Sequence, residues 1–169
     1  MEKSKFLDIF QAGFRKNHNT PSALIKLTDE VSMGKENKLA TLLLQFDFSK
    51  AFDNVSPSKL LRKLQDASFS KSSLHWFWSY LCGQSVRVVS KTSISDYRNT
   101  NIGVLQGSVL SPLLSCIYMN DLKDCPDENT FRLLYSNDLQ IYVQVPANQT
   151  QQGISMLTES AKIVASWAK

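Results

Sequence analysis

The 169-residue sequence has only three cysteines, Cys82, Cys116 and Cys125, odd in number and with no close pair. That scarcity argues against a disulfide framework and against a cysteine-rich zinc site, and leaves buried or idle thiols of a reducing compartment. Long apolar runs are also missing. The longest, Leu42 to Leu44 with its neighbours, is too short to span a bilayer, and Met1 to Gln11 carries Glu2, Lys3, Lys5 and Asp8 where a secretory signal would be apolar. An intracellular protein, cytoplasmic or nuclear, with no membrane partner is therefore expected. No internal repeat and no low-complexity linker interrupts the chain, so a single continuous unit is expected. What remains is ordinary: 43% hydrophobic and 20% charged residues suffice for a real core. A formal net charge of +4 and a pI near 9.0 permit a polyanionic partner without requiring one.

Local punctuation divides the chain. "NTPSALIKLTDEVSMG" places Thr20 as an N-cap, Pro21 at the first helical position, Leu24, Leu27 and Val31 on one face, and Gly34 as the stop. "KLATLLLQFDFS" is an apolar run of strand length, which predicts a central strand buried on both faces or a buried helix segment. "SPSKLLRKLQDAS" opens a helix at Ser56 and Pro57 and turns Leu60, Leu61 and Leu64 inward. "SKSSLHWFWSYLCG" follows as a helix ending at Gly83, with aromatic spacing that points to burial in a core or interface. "QSVRVVS" and the segment up to "NTNIGVLQGSV" read as an antiparallel pair, and Ser111 and Pro112 open another helix. Between Gln149 and Trp167, Ile154, Leu157, Ala161, Val164 and Trp167 recur at helical spacing. The succession of strand, helices, strand pair, helix, hairpin and helix suits an α+β layer of helices over an antiparallel sheet.

Three stretches carry candidate chemistry. In "FDFSKAFD", Asp47 leaves an apolar strand and Asp53 begins the next turn. A carboxylate there is costly without a cation, so a metal or an arginine partner fits, as does a capping aspartate in a loop. In "GVLQGSVLSP", Gly103 and Gly107 let backbone approach a ligand, and Gln106 offers both donor and acceptor; a plain glycine turn before a helix explains the same residues. In "LLYSNDLQIYV", two apolar runs meet at Ser136, Asn137 and Asp138, which reads as a hairpin turn with one lone carboxylate.

Taken in order, "QAGFRKNHNTPSAL", "FDFSKAFD", "GVLQGSVLSPLLSCIYMNDL" and "LLYSNDLQIYV" closely resemble the successive blocks of reverse transcriptases from non-LTR retrotransposons of the LINE and jockey type, from about Phe10 to Trp167. The resemblance implies a polymerase palm, an antiparallel sheet with helices packed on one face, together with part of the fingers and without a thumb. It divides the chain into a fingers portion, about 1–38, and a region that is mainly palm, about 39–169, with a fingers/palm strand pair near 85–104. It implies nucleotidyl transfer from deoxynucleoside triphosphates to a DNA primer on an RNA template, assisted by two Mg²⁺ (or Mn²⁺) ions held by converging carboxylates. Asp47 matches the first metal-binding aspartate, and the Tyr-Ala-Asp-Asp box falls on Tyr135, Ser136, Asn137 and Asp138. Phe52 matches the aromatic gate against a sugar 2′-hydroxyl, Gln106 and Gly107 match the nucleotide pocket, and Arg15 matches an arginine that pairs with triphosphate. Without the family, Phe52 reads as core packing and Arg15 as a solvated surface charge.

Two positions depart from the pattern. Asn137 stands where a principal metal-binding aspartate is usual, and its amide brings no charge to a dication; crippled catalysis is expected. Leu105 replaces a proline before Gln106, which loosens that turn. Against catalysis stands a second expectation, that the palm sheet and basic surface persist as a non-catalytic nucleic-acid-binding module.

Overall fold

The computed structural model describes Leu7 and residues 11–15, 18–124 and 130–168. Their elements run α1 (Thr20–Glu36), β1 (Leu39–Asp47), α2 (Pro57–Asp66), α3 (Lys71–Leu81), β2 (Gln84–Val86), β3 (Arg98–Thr100), α4 (Ser111–Tyr118), β4 (Phe131–Tyr135), β5 (Asp138–Pro146) and α5 (Thr150–Trp167), with 3₁₀ turns at Asn120–Asp124 and Ala147–Gln149. They form two compact units, one made of Met1–Ser49 and Met119–Lys169, the other of Lys50–Tyr118.

The first unit is built on an antiparallel sheet of order β1-β5-β4. β5 is the central strand, and its alternating residues feed both faces. Leu139, Ile141, Val143 and Val145 are buried on the face that receives α5. There Gly153 lets the helix ride low: a Cβ at this position would stand 2.6 Å from Leu42 Cδ1 and 3.1 Å from Val145 Cγ2. Leu157 and Val164 are buried on the same helix, while Ile154, expected on that face, is about half exposed because Gly153 makes the contact in its place. At the far end of α5, Trp167 meets Phe48 edge to face at 5.6 Å and donates its Nε1–H to Asp121 Oδ1 at 2.9 Å.

The opposite face carries α1, adding a layer where helices on one face were expected. Leu27 of the predicted leucine face packs partly buried against Ala12, Ala23 and Leu133, but the rest of the contact uses small residues that the leucine spacing did not reveal. Ala23 and Gly34 are buried, whereas Leu24 and Val31 are exposed. Gly34, read from sequence as the helix stop, lies inside the helix against Gln144 and Thr41, and Gln144 donates to the Glu30 carbonyl at 2.6 Å. The cap is Asn19 rather than Thr20: Asn19 Oδ1 accepts from Ser22 N–H at 2.8 Å and Ser22 Oγ accepts from Asn19 N–H at 3.1 Å, a reciprocal box that satisfies two otherwise orphaned donors. Tyr142, on this face, has its hydroxyl pushed up to about 12 by burial and secondarily by the Glu30 carboxylate, so it stays neutral.

β1 corrects the expectation of a central strand buried on both faces. It is an edge strand whose Leu43 is 49% exposed, because β5 takes the centre and α1 covers β1 only in part.

The second unit packs α2 against α3 and α4. Leu60 and Leu64 of α2 and Leu114 and Ile117 of α4 are fully or almost fully buried. The Lys63 ammonium donates to the Tyr118 carbonyl and lies over its ring. The aromatics of α3 are less buried than expected: Trp76 and Trp78 are each 52% exposed, and Trp76 stacks instead on Tyr80, one helical turn on, at 5.4 Å. β2 and β3 form the expected antiparallel pair, Gln84 opposite Thr100. Cys82 and Cys116 are not joined in a disulfide, and Cys125 lies outside the described residues. Among the described residues no helix is long and apolar enough to cross a membrane.

Candidate active site

The end of the first unit's sheet gathers the sequence-selected carboxylates. β1 finishes at Asp47 and β5 starts at Asp138, and the register places these two residues directly opposite each other. Opposed residues of an antiparallel pair point to one face with Cα atoms about 4.5–5.5 Å apart, so two carboxylates share one rim of the sheet. Like charges so placed repel unless a cation or hydrogen-bond donors intervene.

The turn supplies such a donor. Ser136 and Asn137 form the two-residue loop between Tyr135 and Asp138, with Ser136 at φ +58°, a left-handed conformation that non-glycine residues adopt at a cost. Asn137 is tied to β1 twice: its carbonyl accepts from the Phe48 N–H at 3.3 Å, and its Nδ2 donates to Asp47 Oδ1 at 3.3 Å. Its own Oδ1 accepts from Ser136 Oγ at 3.1 Å. The amide therefore turns its donor end toward the rim and its oxygen away from it. Tyr135 and Asp138 also line a cavity of about 160 Å³ against Thr20, Ala23 and Leu27 of α1.

Arg15 belongs to the same unit. Gln11 bridges Leu134 in parallel, Ala12 N–H donates to the Leu134 carbonyl at 2.8 Å, and Arg15 Nη1 donates to the Gln11 carbonyl at 3.1 Å. Arg15 is legible in the sequence through the resemblance, but the packing of this stretch against the hairpin is not; the glycine before the aromatic and arginine is the available signal.

Phe52, Gln106 and Gly107 lie in the second unit. Val104 N–H donates to the Phe52 carbonyl and Gly103 N–H to the Val55 carbonyl, both at 2.8 Å, so the two turns selected from sequence are bonded backbone to backbone. Gly103, at φ +90°, is required: a Cβ would lie 2.9 Å from the Asp53 carbonyl oxygen. Phe52 is partly buried, while Gln106 and Gly107 are exposed, and Gly107 sits at φ +89°. A cavity of about 450 Å³ is lined by Asp53, Tyr80, Gln84, Asn99, Asn101 and Gln106 among others, a wall rich in amides able to donate and accept.

The donor set at the rim limits what it can hold. Among the described residues no group of three or more His, Cys, Asp or Glu side chains converges. A hard dication at the rim would have the Asp47 and Asp138 carboxylates available, with waters or a bound phosphate as its remaining ligands. A second dication lacks a carboxylate, because the Asn137 amide directs N–H toward the rim.

The family model described as reverse transcriptase (RNA-dependent DNA polymerase) matches residues 1–169. The chain is 28% identical, in a 177-position alignment that covers all of it, to the probable RNA-directed DNA polymerase from transposon BS of Drosophila melanogaster. It is 31% identical over 131 residues, 78% of the chain, to that from transposon X-element of the same fly, and 28% identical over 163 residues, 96% of the chain, to the polymerase from mobile element jockey of Drosophila funebris. It spans 14%, 19% and 17% of the X-element, BS and jockey proteins respectively. Among solved structures, telomerase from Candida albicans in complex with a fragment of telomeric RNA matches 89% of this chain and 30% of that one, at TM-score 0.58 and 17% identity. Telomerase from Candida tropicalis matches 81% and 31%, at TM-score 0.57 and 15% identity. At such identities these two establish the fold alone, a palm-type α+β polymerase fold.

Proposed function

The chain belongs to the reverse transcriptase (RNA-dependent DNA polymerase) family, and on that premise we propose that it supplies a polymerase palm for RNA-templated DNA synthesis, with Asp47 and Asp138 as the cation-holding pair and with turnover crippled at Asn137. The observation that carries this reading is the pairing of Asp47 with Asp138 at the end of the sheet. Asp47 and Asp138 would hold a divalent cation, Mg²⁺ or Mn²⁺, which when bound would supply charge neutralisation at the phosphates and Lewis acidity.

The chain's own residues do the rest. Asp47 and Asp138 fix the cation's place, since both are anchored by strand pairing rather than by loops. Arg15 pairs its guanidinium with the triphosphate, and its bond to the Gln11 carbonyl holds one edge of the fork. Tyr135 lies directly opposite Asp138 in the hairpin. In the second unit, Phe52, Gln106 and Gly107 match the family's nucleotide-contacting positions and offer, within that unit, an aromatic ring against a sugar 2′-hydroxyl, a side-chain amide and open backbone. Asn137 is the weak member, because its donor end already bonds Asp47 and it brings no charge.

RNA template and DNA primer are the partners this reading requires. A palm surface binds their backbones rather than their sequence, so affinity for an RNA–DNA duplex should be sequence-insensitive and fall roughly tenfold or more between 50 and 200 mM salt through counterion release. Titration of a labelled duplex by anisotropy at several salt concentrations checks this. A flat salt response would remove nucleic acid as the partner.

A further inference from the structure

We propose that residues 11–15 form a strap that sets the position of the catalytic-rim turn, and that Gly13 is the positioning residue on which it closes. Gln11 and Ala12 run alongside β4 as a short parallel addition, through the bridge to Leu134 and the Ala12 N–H bond to the Leu134 carbonyl. Two residues beyond Leu134 lies Ser136, the left-handed residue of the turn. Gly13 meets it so closely that a Cβ would stand 2.2 Å from Ser136 N and 2.7 Å from Ser136 Cα. Both are backbone atoms and neither can rotate away, so any side chain at 13 displaces strap or turn by roughly 1 Å to restore normal contact. Gly13 is buried, and its own N–H donates to Gln11 Oε1 at 2.9 Å on a side chain that is 1% exposed, which clamps the strap against itself. Arg15 then bonds back to the Gln11 carbonyl. The strap is thus pinned to β4 at one end, contacts the turn at Gly13, and carries the arginine at its other end.

The turn it holds reaches β1 through one backbone bond, from Phe48 N–H to the Asn137 carbonyl. That bond is the natural reporter of the turn's position. The role assigned to the rim rests on the function proposed above, but the strap is tested without it, by hydrogen exchange. In Gly13→Ala the Phe48 amide should exchange at least about tenfold faster than in the native chain, while the amide of Ile141, in the middle of the sheet, keeps its rate. A merely structural glycine would change both together. Ser136→Gly added to Gly13→Ala should recover part of the Phe48 protection, since a glycine at 136 lets the turn shift without left-handed strain.

Should Gly13→Ala fail to fold, Gln11→Leu removes the acceptor for Gly13 N–H while leaving a buried side chain of similar size, and should speed Phe48 exchange about threefold. Mn²⁺ affinity measured on the same samples separates the two claims. Faster Phe48 exchange with weaker Mn²⁺ binding supports the strap and the rim together, and faster exchange with unchanged Mn²⁺ binding supports the strap while counting against the rim. Phe48 exchange that is unchanged, or that rises only in step with Ile141, would overturn the strap.

Discussion

Replacing Asn137 by aspartate should raise the affinity of the chain for Mn²⁺ at least roughly tenfold and raise primer extension by about two decades. The second figure refers to a chimera in which this segment replaces the matching part of a full-length jockey-type polymerase. The native amide gives the rim a hydrogen bond to Asp47 in place of a charge, and the missing Coulombic contribution to a desolvated dication is on the order of 3 kcal/mol. The change has a second, opposite signature that guards against a trivial explanation. Without a cation, Asn137→Asp puts a third carboxylate beside Asp47 and Asp138 and removes the amide donor, so the variant should melt below the native chain in chelator and above it in millimolar Mn²⁺. Asn137→Ala, which removes the donor without adding charge, should lower the melting point in chelator but restore no extension. Equal extension by the native and Asn137→Asp chimeras at equal folded concentration would mean that this turn is not the place of catalysis.

The second large effect is on stability, and it follows from where β5 lies. Ile141 is fully buried at the middle of the central strand and faces the layer between sheet and α5, where Gly153 allows little free space. Ile141→Ala should therefore cost about 3–4 kcal/mol, the range for an aliphatic side chain cut back in a core that cannot collapse around the gap. Leu43→Ala, on the half-exposed edge strand, should cost only about 1 kcal/mol because about half of the removed surface was already in water. Urea unfolding followed by Trp167 fluorescence, with Trp76 and Trp78 changed to phenylalanine so that only the first unit reports, distinguishes the two. Comparable costs would contradict the assignment of β5 rather than β1 to the centre of the sheet.

That assignment marks a limit of what the sequence made legible. The apolar run Leu42 to Leu44 reads as the most buried strand, while β5 is broken by Gln140 and Gln144 and reads as half of an ordinary hairpin. Burial was decided by strand order, which depends on pairings far apart in the chain. The α1 face was hidden for a similar reason. Periodicity favours Leu24 and Val31, but the sheet accepts the helix at Ala23 and Gly34 because Gln144 and Thr41 fill the gap. On α3, helical spacing gave the element correctly but not the exposure of Trp76 and Trp78.

The rim was legible because two local signals converge there. An apolar strand ending in aspartate and a hairpin turn followed by aspartate each fix one carboxylate, and antiparallel pairing brings them face to face. The contact of Gly13 with Ser136 was not legible, since a glycine's reason for being small lies in whatever packs against it. Nor does the sequence show which way the Asn137 amide turns; that depends on the Asp47 carboxylate across the strand pair.

Whether Asp47 and Asp138 act as one cation site is tested most directly by Mn²⁺ binding followed by electron paramagnetic resonance. Titrations of the native chain, Asp47→Asn, Asp138→Asn and the double variant form a thermodynamic cycle. The account predicts that either single change weakens the rim site at least roughly tenfold and that the double change costs much less than the sum of the two, because partners in one site do not contribute independently. Single variants that bind Mn²⁺ as the native chain does, or losses that simply add, would contradict it.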